Sequence, residues 1–554
     1  MRNSIATLML LAGAATGLAQ TTGPNSSAEP YVDGTLSDAR STSILTVGDS
    51  PTGSDYRMVG IPDGMGGYDN GDGTFTVLMN HELGTSAGVV REHGAIGAFV
   101  SKWTIDADTL EVIAGEDLIK RVFVWTPFVG YTESFSETLN RLCSADLPPV
   151  SAFYDSTTGL GTTERIFMSG EETRPPFSAD HGRAFAHVVT GDDAGVSYEI
   201  PAVGKMAHEN VLANPFEQVK TIVIPMDDAD RSTAPGPAPC ELYVYVGEKQ
   251  PEGSPADKAG LTNGTLYGVQ VVRFDGTTVV EESNEFGFGD ATTGYVGQAR
   301  FELIDLGDVR DMTGIELQTE SIAQDITRWQ RIEDGAWDVR DGRESDFYWV
   351  TTASSSLNSR LFANYFDDIT NPEAGGVIEI LLQGDEGQQT MDNMGIDNRG
   401  NVVIQEDPGG SDRLAKIWNY NVDSGVLTEI AASAGKFFTE GEPEFITTNE
   451  ESSGAFYADD LLGEGWWLMD MQVHEAEADP ELVQGGQLYA LFNPLSACVA
   501  DFDGSATLNV FDFLAFFNAY NAGDLIADLN GDGSLDMFDF QAFQNAFDAG
   551  CVLD

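Results

Sequence analysis

Near its C-terminal end the chain places Asp528, Asn530, Asp532, Ser534, Asp536 and Asp539 at spaced positions of one loop, with Gly533 at the turn. An earlier copy puts Asp501, Asp503, Ser505, Thr507, Asn509 and Asp512 in the same register. Hard cations such as calcium take six to eight oxygens, so a loop must aim carboxylates and amides inward at alternate positions. The position held by Ser534 and Thr507 offers its backbone carbonyl, and the residue before it must make a sharp turn that glycine allows. The second loop meets every demand. The first has Ala506 where glycine is wanted, and is expected to bind calcium more weakly or with a strained turn.

The repeat continues past the loops. Phe513, Phe516, Phe517 and Tyr520 match Phe540, Phe543 and Phe547 at helical spacing, which predicts one helix after each loop. These rings either pack the two helices together or offer a face to a partner. No amphipathic helix precedes either loop, and each loop ends in Asp where a calcium sensor has Glu. On that pattern residues 498–554 resemble the type I dockerin, a duplicated loop–helix module of secreted proteins. The resemblance implies attachment to a protein partner. Cys498 and Cys551 bracket the segment and read as a disulfide that clamps it, useful to a unit with so small a core.

A second set of chemistry lies in the body of the chain, where apolar runs lead into acidic and histidine clusters. Leu78-Met79 precedes Asn80-His81-Glu82; Ile166 to Met168 precedes Glu171-Glu172; His208-Glu209 follows Met206; and Glu248-Lys249 follows Val244 to Val246. Arg331, Glu333-Asp334, Asp392-Asn393, Glu406-Asp407, Glu442 and Gln472 with His474 complete the series. Carboxylates brought together at strand ends repel one another unless cations neutralise them. Such oxygen-rich groups suit calcium or magnesium, and histidine adds capacity for iron or zinc.

The elements that must position these groups are strands. Phe75–Met79, Arg121–Trp125, Thr221–Ile224, Leu242–Val246, Leu266–Val272, Phe347–Val350, Val377–Leu382, Trp466–Met469 and Leu488–Leu491 are rich in β-branched and aromatic residues and bounded by Gly, Asp and Asn. Helical signals are few, with Ser136–Leu142 and Ser321–Trp329 the best. The fold class is therefore mostly β, with a β-propeller body over residues 30–495 and a small α-helical calcium-binding module at 498–554. No repeat period is visible in the body.

The order of the body motifs resembles the PhoX-type alkaline phosphatases, a secreted metal-dependent family with a propeller fold. The resemblance rests on Leu78–Glu82, His93–Phe99, Gly170–Glu172, Gly204–Glu209, Tyr243–Glu248, Arg331–Asp334 and Asp392–Asp407. It implies a site holding calcium and iron that hydrolyses phosphomonoesters, with Glu171, Glu172, Glu248, Glu333 and Glu442 as ligands and His208, Glu209 and Arg331 beside them. Lys205, Lys249 or Arg331 could hold phosphate oxygens. Two positions depart from the family: Gly170 stands where it has an iron-binding cysteine, and Lys249 where it has an acid. Cys143 and Cys240 remain as a possible second disulfide.

Composition narrows the partners. Among 554 residues, 28 Lys and Arg face 89 Asp and Glu, a net charge of −61, with no Lys or Arg after Lys436. A chain with no basic patch is not expected to bind nucleic acid or anionic lipid. Residues 1–20 read as a secretory signal: Arg2, an apolar run from Ile5 to Leu11, then small residues. That run is too short to span a bilayer, so a secreted or cell-surface location is expected. No Gly-x-Ser-x-Gly, P-loop or dinucleotide motif is present. The sequence thus favours a phosphatase-like hydrolase acting on a phosphorylated small molecule. A non-catalytic binding propeller and a polysaccharide-associated hydrolase are the alternatives.

Overall fold

A computed structural model describes residues 21–173, 182–229, 240–273, 297–355, 357–498, 500, 502, 508–523, 527, 529 and 535–549. The described body is a six-bladed β-propeller. Its six innermost strands, Pro62–Asp69, Leu142–Asp146, His208–Ala213, Ile332–Trp337, Met391–Ile396 and Glu450–Tyr457, each lie against the next and close a ring around the axis. Each leads into an antiparallel blade, numbered 1 to 6 below. The second strands are Thr74–His81, Ile166–Glu171, Lys220–Asp227, Asp346–Thr351, Asn401–Glu406 and Trp466–Ala476. Blades 3 and 4 are joined at their outer edges by pairing of Gln298–Gly307 with Gly376–Leu382. The N-terminal part of the chain shuts the circle. Arg40–Thr46 adds to Gln484–Phe492 as the fourth strand of blade 6, and Val32–Gly34 adds to Val426–Ser433 in blade 5.

The apolar runs read from the sequence all fall in strands, because β-branched and aromatic side chains fill the space between blades. Trp329, Trp349 and Phe362 form one such contact, with the Trp349 and Phe362 rings stacked at 4.4 Å. The helical expectations do worse. Ser136–Leu142 is extended, since Leu139 pairs with Ala98 and Leu142 opens an innermost strand. The helix expected at Ser321–Trp329 lies earlier, at Gly314–Ala323, started by a Thr313–Glu316 capping box. The Cys143–Cys240 disulfide is absent: both thiols are free and buried on different blades, Cys240 donating to the Ala229 carbonyl at 2.7 Å. No described helix is long and apolar enough to cross a membrane. The signal segment, Cys551 and loop residues Asp501, Asp503, Ser505, Ala506, Thr507, Asp528, Asn530, Asp532, Gly533 and Ser534 lie outside the described residues.

The two C-terminal helices, Val510–Ala522 and Met537–Ala549, pack by equivalent faces. Phe516 and Phe543 are buried and stack at 4.4 Å, 11° from parallel. Asp512 and Asp539 are buried, and each accepts the backbone N–H three residues before it, from Asn509 at 2.7 Å and Asp536 at 2.8 Å. Replacing Phe516 by Ala removes the larger part of that contact. It should destabilise this unit by about 3–5 kcal/mol, seen in calorimetry as an earlier separate transition with the propeller transition unmoved.

Candidate metal centre

One backbone hydrogen bond recurs in all six blades at the same end of the ring. A residue just after each second strand, or in blade 6 near its end, donates its N–H to the residue just before the innermost strand: Glu82 to Ile61, Glu172 to Arg141, Asp228 to Ala207, Thr352 to Arg331, Asp407 to Thr390 and His474 to Asn449, at 2.8–3.1 Å. The second residue of each innermost strand then faces its neighbours around the axis: Asp63, Cys143, Glu209, Glu333, Asp392 and Glu451. In blades 1 to 5 the strand pairing skips a residue at this point, between Pro62 and Met65, Leu142 and Ala145, His208 and Val211, Ile332 and Gly335, and Met391 and Met394. A bulge there re-aims one side chain per blade and is a recurrent device beside functional sites. Ile61, Arg141, Arg331 and Thr390, each directly before its innermost strand, have φ of +52°, +46°, +57° and +40°. Left-handed backbone at non-glycine residues costs about 1–3 kcal/mol apiece and persists only where the surroundings enforce it.

The result is three overlapping triads of buried donors, Asp63–Glu82–Cys143, Cys143–Glu172–Glu209 and Glu209–Glu333–Asp392, with ligand atoms within 4.8 Å of one another in each. Cys143 and Glu209 are shared. Beneath them the next residues along form a polar layer. Ser144 Oγ donates to Glu209 at 2.8 Å, Asn393 Nδ2 to Ser144 at 2.6 Å, and Asn210 Nδ2 to Asp334 at 2.6 Å. Gln472 Nε2 reaches Asp63 at 2.9 Å and Glu82 at 3.2 Å. Past this layer the ring opens into a cavity of about 520 Å³ lined by Asp146, Trp337 and Phe456.

Burial, reinforced by neighbouring carboxylates, holds Asp63, Glu209 and Asp392 well above the usual carboxylate range. Burial does the same to Glu333 against the opposing pull of Arg331. Glu82 rises to about 7 despite Arg141, and Asp407 to about 7. Burial and the same carboxylates push the Cys143 thiol well up. These groups cannot all ionise together without cations, which is the fit a cluster of divalent ions requires. The carboxylates suit calcium; the Cys143 sulfur is a soft donor suited to iron or zinc.

Of the residues singled out in the sequence, Glu82, Glu172, Glu209, Glu333 and Asp392 join the triads, and Arg331 sits over them on Asp228 at 2.8 and 2.7 Å and Glu333 at 3.1 Å. Glu171 alternates to the other face of its strand and is bound by Arg183 at 2.7 and 2.9 Å. His208 is buried, its Nε2 3.1 Å from the Gly204 carbonyl, and burial lowers it to about 4. Glu248 and Lys249 lie at the far end of blade 3, opposite Lys220, where Lys249 donates to the Gln218 and Lys220 carbonyls. Lys205 is 3.4 Å from Glu199, and Glu442 is exposed on a loop. Asp63, Cys143, Asp228 and Glu451 escaped sequence reasoning. For Asp63, Cys143 and Glu451 the signal is an acid or thiol followed by a small or polar residue at the start of an innermost strand, Asp63-Gly64, Cys143-Ser144 and Glu451-Ser452, as in Glu209-Asn210, Glu333-Asp334 and Asp392-Asn393; Asp228 follows a second strand and lacks it.

Gly170 offers no thiol at the position where the family resemblance expects one, but blade 2 supplies one to the donor cluster from Cys143. With the geometry in hand, the chain can be compared with known proteins. It shares the fold of PhoX from Pseudomonas fluorescens. That structure, solved in complex with vanadate, a transition state analogue, matches at 12% identity and a TM-score of 0.53, covering 86% of this chain and 98% of PhoX. The periplasmic gluconolactonase PpgL of Pseudomonas aeruginosa matches at 12% identity and a TM-score of 0.29, covering 65% and 82%. A putative 6-phosphogluconolactonase of Bacteroides uniformis matches at 10% and 0.30, covering 74% and 94%. No family model and no curated protein matches the chain.

Two outcomes follow from this geometry. Glu82 and Asp407 have folded-state pKa values raised above their unfolded ones, so the stability they contribute is complete when protonated and is lost as pH rises through about 7. Chelator-treated protein should therefore melt lower at pH 8 than at pH 5, and added calcium should remove the difference; a flat profile after chelation contradicts the buried cluster. A side chain at Gly170 would overlap Cβ of His208. Gly170→Cys should lower Tm and leave body-bound metal no higher than in the parent, read by elemental analysis.

Proposed function

We propose that this protein is a metal-dependent phosphoester hydrolase acting on phosphorylated small molecules, exported, and attached to a protein partner through a calcium-binding dockerin-like module. The observation that carries the reading is the chain of triads sharing Cys143 and Glu209 at the axis of a propeller with the fold of PhoX. Bound divalent ions would polarise phosphoryl oxygens and lower the pKa of an attacking water. Asp63, Glu82, Glu172, Glu333 and Asp392 complete the donor set and hold it rigidly, each fixed by the backbone of its own blade. Arg331, oriented by Asp228, presents a planar fork suited to a phosphoryl group. A bare acidic ring would repel that anion, so substrate recognition depends on the cations and on this guanidinium.

A serine nucleophile is disfavoured by the histidines. His187 is buried between Ser169 at 2.9 Å and Ser197, and burial lowers it to about 3, leaving no exposed Ser–His pair there. Purified protein supplied with calcium, with and without iron, should release phosphate from an aryl phosphate. Glu209→Gln should cut kcat at least about 100-fold and lower body-bound metal, while calcium bound to the C-terminal loops persists. A metal-loaded, folded protein that turns over no phosphoester would overturn the reading.

A further inference from the structure

Among the described residues the ring carries two guanidiniums, at equivalent positions of blades 2 and 4. Arg141 precedes the innermost strand of blade 2 as Arg331 precedes that of blade 4, and both have left-handed backbone. Each spans from its own blade to the blade before it. Arg141 binds Glu172 of blade 2 and Glu82 of blade 1, the latter at 2.5 Å; Arg331 binds Glu333 of blade 4 and Asp228 of blade 3. Both carbonyls accept the recurring backbone bond, which fixes where the two side chains start.

We infer that Arg141 is a second anion-binding guanidinium, acting with Arg331 on the oxygens of a tetrahedral oxyanion held over the donor ring. This rests on the proposed phosphoester reading and adds a substrate-contacting residue to it. The Arg141 side chain is 42% exposed and that of Arg331 26%, so both reach solvent, whereas Glu82 and Glu172 beneath Arg141 are buried. A guanidinium has five donors in a fixed fork, and two carboxylates below do not exhaust them. When cations take up the charge of Glu82 and Glu172, Arg141 is no longer needed to neutralise them, and its outward donors match a phosphate edge.

The test is calorimetric titration of the full-length, metal-loaded protein with inorganic phosphate, alongside elemental analysis. Arg141→Ala and Arg141→Lys should each weaken phosphate binding roughly 10- to 100-fold, as should Arg331→Ala, with metal content unchanged. Phosphate affinity equal to the parent's in both variants overturns the inference. So does a loss of binding that only tracks a loss of metal, because Arg141 then merely neutralises Glu82 and Glu172. Arginine-dependent phosphate binding without turnover of any phosphoester leaves the inference standing and sinks the hydrolase reading. A metal-loaded parent that binds no phosphate sinks both.

Discussion

Like-charge repulsion at the propeller axis is the constraint to which the rest of the structure answers. Asp63, Glu209, Glu333 and Asp392 are buried with Glu82, Glu172 and a thiol within a few ångströms of them. Left to themselves such groups would splay apart or stay protonated. The fold opposes splaying in two ways. The recurring backbone bond ties each second strand to the entrance of its innermost strand, and the N-terminal strand Arg40–Thr46 locks blade 6 so that the circle cannot open.

The bulges convert this closed circle into a donor ring. A regular strand would alternate its side chains between the two faces of its blade. Skipping one residue at the same point in five blades turns a single acid or thiol toward the axis and leaves its neighbour to brace the ring from beneath. Asn393 shows the bracing directly, donating to Ser144, which donates to Glu209. Blade 6 departs: its irregularity falls later, between Ser453 and Ala455, and its ring positions hold Glu451 and His474, paired at 3.4 Å. Although burial opposes its charge, Glu451 and Gln484 raise His474 to about 9, so this sector carries an imidazolium where blades 1, 2, 3 and 5 carry a carboxylate. The ring is thus chemically lopsided on a nearly symmetric frame.

The C-terminal unit applies a similar economy on a smaller scale. Each helix starts with an aspartate whose carboxylate accepts its own capping N–H, and the helices meet through one stacked phenylalanine pair. Asp512 and Asp539 are thereby held in the first turns of their helices.

Much of this was legible in the sequence. Short apolar runs rich in β-branched and aromatic residues located the strands, and the acidic clusters after them pointed to Glu82, Glu172, Glu209, Glu333 and Asp392 because such clusters need a reason to exist. The duplicated C-terminal pattern revealed two equivalent helices, since spacing within one helix is a local property. What failed was non-local. Cys143 looked like a disulfide partner because thiols are silent about their neighbours until a chain closes on itself. Glu171 and Glu172 look alike in sequence, but a strand sends adjacent side chains to opposite faces, one to Arg183 and one to the ring. Glu248 sits beside a strand end as convincingly as Glu82 does, but its strand runs the other way and carries it to the far side. The sequence by itself determined the strands, the charge and the paired helices, all set by local pattern and composition. Only closure of six blades decided which carboxylates meet, because that depends on strand direction, bulge position and the circle being shut.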